Sequence, residues 1–302
     1  MALLKVELEL LKKRRITMIR VLITGKNSYI GNKTENWLTS KKLYQITKIS
    51  LRDDSWKQFS FEQYDVILHV AGIAHANSKN RSFDLYDSIN HQLTREVALK
   101  AKESGVKHFI FLSSMIIYQS RQSPINQKTL PKPKGAYAIS KLNAEHALNQ
   151  LMDESFKVTI LRPSMVYGPE SKGNFPRLVN YVDKFSIFPK FYNLRSFLYI
   201  DHLTEAIHQV IQTETYGVLH LADSEARSTA DLVFQIGISL DKKVKLTKLF
   251  NPVIYTLRPI MTVMNKLFGD FYYDNSLIQH SFQYHRLSFE DSIDNSVKEF
   301  RA

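Results

Sequence analysis

Short runs of Val, Ile, Leu and Phe alternate with helical patterns through the first half of this chain, and that rhythm restricts the fold more than any other feature. The runs are IRVLIT, YQITKISL, YDVILHVA, KHFIFLSS and FKVTILRP. Helical patterns occupy about Tyr29 to Ser40, Phe83 to Ser104 and the segment AYAISKLNAEHALNQLM. Near-continuous apolar runs of this length are strands covered on both faces. Strands separated by helices imply βαβ units, so the expected class is α/β with a doubly wound parallel sheet.

After Pro163 the pattern is less regular. A helix from about Phe175 to Lys184, a strand RSFLYI, a helix HLTEAIHQVIQ and a strand GVLHLA are followed by a helix near STADLVFQIGISL. The expected organisation has an extension at 1–17, a dinucleotide-binding core at 18–163 rejoined by 196–222, and a smaller C-terminal substrate-binding lobe from 164–195 and 223–302. Open parallel sheets bind ligands beyond the carboxyl ends of their strands, which puts the site in the cleft between the lobes. The amphipathic stretch 252–268 is interrupted by Arg258, Pro259 and Asn265. It is expected to pack within the lobe rather than on a membrane.

Composition excludes several classes. With no cysteine, disulfides, thiol nucleophiles and thiolate metal sites are ruled out. No segment approaches the roughly 18 apolar residues of a spanning helix, so no membrane insertion is expected. MALLKVELELLKKRR does not read as a signal peptide, because its basic run follows the apolar residues. A cytoplasmic protein is expected. The net charge is +12, with no block of like charges beyond the N-terminal basic run. It favours anionic ligands such as nucleotides, and no nucleic-acid-binding signature accompanies it. His69, His75, His91, His202 and His208 lack ligand spacing, so no metal is expected.

The turn GKNSYIG, residues 25 to 31, follows the first strand. Gly25 permits a tight turn, and Gly31 permits close packing of the next helix on the sheet. Ser28 stands where a third glycine would let backbone approach a pyrophosphate, and brings a hydroxyl that could bond a phosphate oxygen. Taken alone the turn is equally compatible with a plain structural role. Tyr137 and Lys141, in YAISK, share one helical face at i and i+4. An ammonium beside a phenol lowers the phenol pKa from about 10 towards the range of proton transfer at neutral pH. Strand-end Ser113 and Ser114 could bond the same substrate oxygen.

With these pieces the chain resembles the extended short-chain dehydrogenase/reductases, the NAD-dependent epimerase/dehydratase family that acts on nucleotide sugars. The resemblance runs over about residues 18 to 300, through GKNSYIG, HVAGIA, Asn90, FLSSMIIY, YAISK, LRPSMVYGP, GNFPRL and RSFLYIDHL. It implies a Rossmann-type core and a catalytic triad. Counting four back from Tyr118 gives Ser114, joined by Tyr137 as acid/base and Lys141, which also bonds the nicotinamide ribose. It implies cofactor contacts from Gly25, Ser28, Tyr29, Ile30, Gly31, Arg52, Ala71, Gly72, Asn90, Lys141 and Pro163. Asn174 and Arg195 would grip the substrate diphosphate. The partners implied are a UDP-sugar and a second copy of the chain, paired through helices near 83–104 and 136–152.

Departures narrow the branch. Met115 and Ile116 stand where 4,6-dehydratases carry an acidic pair, and Met165 where many 4-epimerases carry Asn. The implied reaction is at C4 of a UDP-hexose: 4-epimerisation, as with UDP-glucose or UDP-N-acetylhexosamine, or reduction of a 4-keto sugar, for surface polysaccharide. The cofactor is NAD(P). Arg52, in ISLRDD, leans it towards NADP, since an arginine at the end of the second strand accommodates a 2′-phosphate. The plain alternative is a solvated surface arginine. Of a different class is a non-catalytic NADP-binding sensor or scaffold on the same fold.

Overall fold

The computed structural model describes residues 18–74 and 82–300; the expectations for residues 1–17 and for His75 fall outside the described residues. Six parallel strands form the main sheet: β1 (Ile19–Thr24), β2 (Tyr44–Ile49), β3 (Val66–His69), β4 (His108–Leu112), β5 (Lys157–Pro163) and β9 (Gly217–Leu221), in the order β2-β1-β3-β4-β5-β9. Successive strand residues bury on opposite faces. Val21, Ile23, Leu68 and Ile110 pack against one set of helices, while Leu22, Ile67, Phe109 and Phe111 pack against the other. The first set comprises α1 (Tyr29–Ser40) and α6 (Ile200–Gln212), the second α3 (Leu93–Glu103) and α4 (Ala136–Leu151). This two-sided burial is why the strands read as unbroken apolar runs.

From β1 the chain moves outwards to β2 and then returns to place β3 on the other flank of β1. The reversal is a topological switch point, and it opens a crevice beyond the carboxyl ends of β1 and β3.

The helix expected over 83–104 is present from 83 to 103, as α2 (Phe83–Asp87) and α3 continuous through a π turn at Ser88–Gln92. GVLHLA supplies β9 at the edge of the main sheet. RSFLYI supplies β8 (Phe197–Tyr199), which pairs with β6 (Met165–Tyr167) in a separate ribbon. A second ribbon joins β7 (Ile187–Pro189) to β10 (Lys245–Thr247). Around them lie α5 (Asn174–Lys184), α7 (Thr229–Ser239), α8 (Asn251–Leu257), α9 (Thr262–Phe268), α10 (Asn275–Ile278) and α11 (Phe289–Val297). Pro259 separates α8 from α9, because it lacks the N–H a continuous helix requires. Among the described residues no helix is long and apolar enough to cross a membrane.

Candidate active site

At the switch point two backbone turns meet. Gly25 has φ +89°, and a Cβ there would lie 3.1 Å from both Cα and N of Ala71. Only glycine allows the β1 and β3 turns this close an approach. Ser28 is the N-cap of α1, its Oγ accepting the Gly31 N–H at 2.9 Å. A Cβ on Gly31 would meet that same Oγ at 2.6 Å, so Ser28 and Gly31 are fitted to each other. The Ser28 oxygen therefore satisfies one of the orphan donors of the helix, while its own proton can still be donated. Tyr29 and Ile30 follow, half-buried, as the first residues of α1.

Asn90 sits fully buried in the π turn. Its Oδ1 accepts the Ile73 N–H at 2.9 Å; its Nδ2 donates to the Ile73 carbonyl and to Ser140 Oγ, each at 3.1 Å. Ser140 Oγ donates in turn to the Tyr137 carbonyl at 2.9 Å. A Cβ on Gly72 would fall 2.8 Å from Asn90 Oδ1 and 3.6 Å from Lys141 Nζ. The β3 turn, the π turn and α4 thus converge on one small space lined by glycine backbone and a lysine head.

Ser114 follows β4; its Oγ accepts the Ile116 N–H at 3.2 Å, and its side chain faces the Tyr137 phenol. Lys141 is buried, with Nζ donating to the Leu112 carbonyl at 2.8 Å and lying 4.6 Å from the Phe111 ring centroid. The electrostatics differ from the sequence expectation. Burial pushes the Tyr137 phenol up to about 12, with the Ser114 hydroxyl opposing and Tyr86 adding to the rise. Burial lowers Lys141 to about 8, against the pull of Glu145. The phenol is raised rather than lowered because the lysine head is held by a strand-end carbonyl and an aromatic face, and burial then dominates.

The remaining expected residues are more scattered. Arg52 lies exposed three residues beyond β2; neighbouring Asp53, also exposed, caps the next turn by accepting the Ser55 N–H. Pro163 closes β5 in the core. Asn174 opens α5 in an exposed position. Arg195 is half-buried, its Nη1 donating to the Gly269 carbonyl at 3.0 Å and its backbone paired with Arg227. Burial lowers it to about 10, against the charge of Asp270. No described hydrogen bond joins Asn174 to Arg195. Among the described residues no group of three His, Cys, Asp or Glu side chains is placed to hold a metal ion.

A family model for the NAD dependent epimerase/dehydratase family matches residues 21–222. The chain belongs to this family. It is 30% identical to the UDP-glucose 4-epimerase of Vibrio cholerae, over 74% of this chain and 76% of that one. It is 25% identical to the N-acetyl-alpha-D-glucosaminyl-diphospho-ditrans,octacis-undecaprenol 4-epimerase of Escherichia coli O157:H7, over 76% and 71% of the two chains. The fold is shared with the UDP-glucuronic acid 4-epimerase of Bacillus cereus solved in complex with NAD, at TM-score 0.73, 19% identity and 92% and 97% coverage.

One constellation in this family member was not found by sequence reasoning. Glu145, one turn beyond Lys141, is fully buried and receives Arg162 through Nη2 at 2.6 Å, with Nε bridging both carboxylate oxygens. Ser113 Oγ also donates to Glu145. Arg162 Nη1 donates to Tyr118 Oη at 2.6 Å, and Tyr118 Oη pairs with His220 Nε2 at 3.0 Å. The two strand-end serines therefore have separate partners: Ser114 serves Tyr137, and Ser113 serves the ion pair beneath Lys141. The i+4 spacing of Lys141 and Glu145 was the available signal.

Proposed function

We propose that this protein is an NAD(P)-dependent enzyme acting at C4 of a UDP-hexose, either epimerising it or reducing a 4-keto group, for surface polysaccharide synthesis. The observation that carries the reading is the convergence of Ser114, Tyr137 and buried Lys141 beside the switch-point crevice, with the Lys141 head 3.6 Å from where a Cβ on Gly72 would lie. The crevice suits a dinucleotide: its walls are glycine backbone where a Cβ would collide, and a helix N-terminus opens into it.

In this reading Gly25 and the start of α1 at Ser28, Tyr29, Ile30 and Gly31 hold the pyrophosphate. Ala71, Gly72, Asn90 and Pro163 border the nicotinamide side, Lys141 bonds its ribose, and Arg52 takes a 2′-phosphate, so NADP is favoured. The cofactor, when bound, supplies the site that accepts or returns the C4 hydride. In ketone reduction Tyr137 gives its phenolic proton to the C4 oxygen as the hydroxyl forms and is left as phenolate. In the oxidising half of an epimerisation it is that phenolate which takes the proton of the C4 hydroxyl. Ser114 orients that oxygen, and Asn174 and Arg195 hold the diphosphate. A phenol raised to about 12 holds its proton at neutral pH, which fits the acid role in ketone reduction without any further change. A homodimer through α2, α3 and α4, and a cytoplasmic setting, complete the proposal. Relatives at C4 of UDP-glucose and of a polyprenyl-linked N-acetylhexosamine support the position of attack.

A sensor or scaffold on this fold has no need of a buried lysine or of a serine facing its tyrosine. Native mass spectrometry of the purified protein, before and after NAD⁺ or NADPH, tests the cofactor. Co-purified NAD points to an epimerase, and an empty protein that takes up NADPH points to a reductase. Tyr137→Phe should then abolish turnover while leaving cofactor bound; full activity in that variant would remove the triad, and binding of neither nucleotide would remove the enzyme reading.

A further inference from the structure

The stretch from Lys242 to Phe268 carries six basic residues (Lys242, Lys243, Lys245, Lys248, Arg258 and Lys266) and no acidic one. Residues 252–268 of it were expected to pack inside the lobe, but only a narrow side of them does so. Ile254 and Phe268 are buried, Phe268 packing tilted against Phe188 and edge-on to Phe191, with ring centroids 5.9 and 5.6 Å away. Tyr255 meets Phe191 at its edge, 4.9 Å between centroids. The outer side of α8 and α9 has no such cover. Leu249 and Ile260 are each 78% exposed and Val263 61%, with Val253 and Met261 exposed beside them.

The neighbouring ribbon continues this surface. Ile187 on β7 is exposed directly opposite Lys245 on β10, and Lys190 bonds the end of β10 through its backbone. Tyr192 is 81% exposed a few residues on, before Asn193 and Leu194 tie back to Gly269 and Asp270 at the end of α9. Large apolar side chains, two tyrosines and a set of lysines therefore share one rim of the lobe. Asp241 and Asp270 flank the stretch, and Asp183 pairs with Lys242 at 3.0 Å, which leaves Lys243, Lys245, Lys248 and Lys266 as its cationic excess.

Clustered exposed apolar surface marks a contact site, and its charge selects the partner. A second copy of the same face would bring two sets of cations together. An anionic lipid surface meets both requirements at once: acyl boundary for Leu249, Ile260 and Val263, headgroups for the tyrosine hydroxyls, and negative charge for lysines that reach past the apolar side chains. Each helix, at seven residues, is about 10 Å long, far short of a bilayer core. We propose that the α8–α9 face, with the β7–β10 edge, docks this protein on the surface of an anionic membrane without inserting through it. Arg195, bonded to Gly269 at the end of α9, would then lie close to the membrane-facing rim.

The test is vesicle sedimentation of the full chain. Binding is expected to vesicles of phosphatidylcholine mixed with phosphatidylglycerol, little to phosphatidylcholine alone, and loss is expected as salt rises. The triple variant Leu249→Ser/Ile260→Ser/Val263→Ser, through lost apolar burial, and the pair Lys245→Glu/Lys248→Glu, through lost attraction to anionic headgroups, should each lower partitioning to the mixed vesicles by at least about tenfold. Both should keep the wild-type melting temperature, since these side chains are exposed. No binding by the wild type, or equal binding to both vesicle types, overturns the proposal. So does a triple variant that turns a dimer into a monomer in sedimentation velocity, which would give this face to a second copy.

Discussion

The switch-point crevice and the C-terminal lobe are held together by bonds of different reach. Around the crevice many partners are close in sequence, such as Ser28 with Gly31, Ser140 with Tyr137 and Thr94 Oγ1 with the Asn90 carbonyl, while Asn90 to Ile73 and Ser140 and Lys141 to Leu112 tie those turns to one another. In the lobe they are far apart. Tyr167 bonds Ser292 at 2.6 Å, Tyr273 donates to the Arg162 carbonyl at 3.0 Å, and Asn193 reaches Leu267 and Gly269. The crevice therefore combines local turns with a few longer ties between neighbouring βα units of the sheet. The lobe exists only once distant segments have closed large loops, and each of its contacts must offset that closure entropy. Glu145 and Arg162 sit where the two regions join.

Breaking that junction should have the largest effect. Glu145→Ala or Arg162→Met leaves one charge buried without its partner, which costs about 3–5 kcal/mol. The loss is readable as a lowered urea midpoint. Replacing both residues, as Glu145→Leu/Arg162→Met, should recover most of it. If the single variants instead fell within about 0.5 kcal/mol of wild type, the size expected for a surface site, the pair would not join the regions.

Next in size is a pair of buried asparagines, one from each region. Asn90→Ala and Asn193→Ala should each cost about 1–3 kcal/mol by leaving buried groups unsatisfied. Their functional signatures should differ. Asn90 positions the β3 turn and α4, so its loss should weaken cofactor binding and lower kcat. Asn193 positions Gly269, the acceptor of Arg195, so its loss should raise KM for the UDP-sugar and leave cofactor Kd unchanged. Equal effects on both ligands from either variant would erase the distinction.

This difference in reach also explains what the sequence disclosed. The parallel sheet was legible because strands covered on both faces, such as Val21–Leu22–Ile23, must be apolar throughout. GKNSYIG and YAISK were legible because turn chemistry and helical spacing act within a few residues. The π turn at Asn90 was not, since one extra residue in a helix leaves no compositional mark. Nor was the Arg162–Glu145–Ser113 network, which depends on strand register. The direction of the Tyr137 shift was missed for a related reason: spacing put Lys141 on the same face, but a strand-end carbonyl, Leu112, set where its head points.

Titrating Lys141 gives a smaller, graded effect with two opposite signs. Its value is lowered from the ordinary 10.5 to about 8, so the ammonium is lost as pH rises through about 8. If the charge is needed for turnover, kcat should fall above that value by up to about tenfold per pH unit, and Lys141→Arg should move the limb upwards. Stability should do the reverse. Between about 8 and 10.5 the unfolded chain binds the extra proton, so this residue's contribution to folding rises with pH. A flat kcat profile from pH 7 to pH 9 would take the Lys141 charge out of the rate.

The smallest change tests the most local contact. Ser28→Gly removes the cap on Gly31 but restores a glycine at the middle of the turn. Glycine is itself an accepted N-cap, so the cost to α1 should be only a few tenths of a kcal/mol. The effect on the cofactor separates two roles for one hydroxyl. If Ser28 serves only the helix, as its bond to the Gly31 N–H implies, removing its side chain opens the backbone to the pyrophosphate and affinity should be equal or tighter. If the hydroxyl proton is also donated to a phosphate oxygen, one charge-assisted bond is lost and Kd should rise about tenfold or more. Calorimetric titration of NADPH into both proteins decides between them, and a tenfold loss would make Ser28 a ligand in its own right as well as the cap of α1.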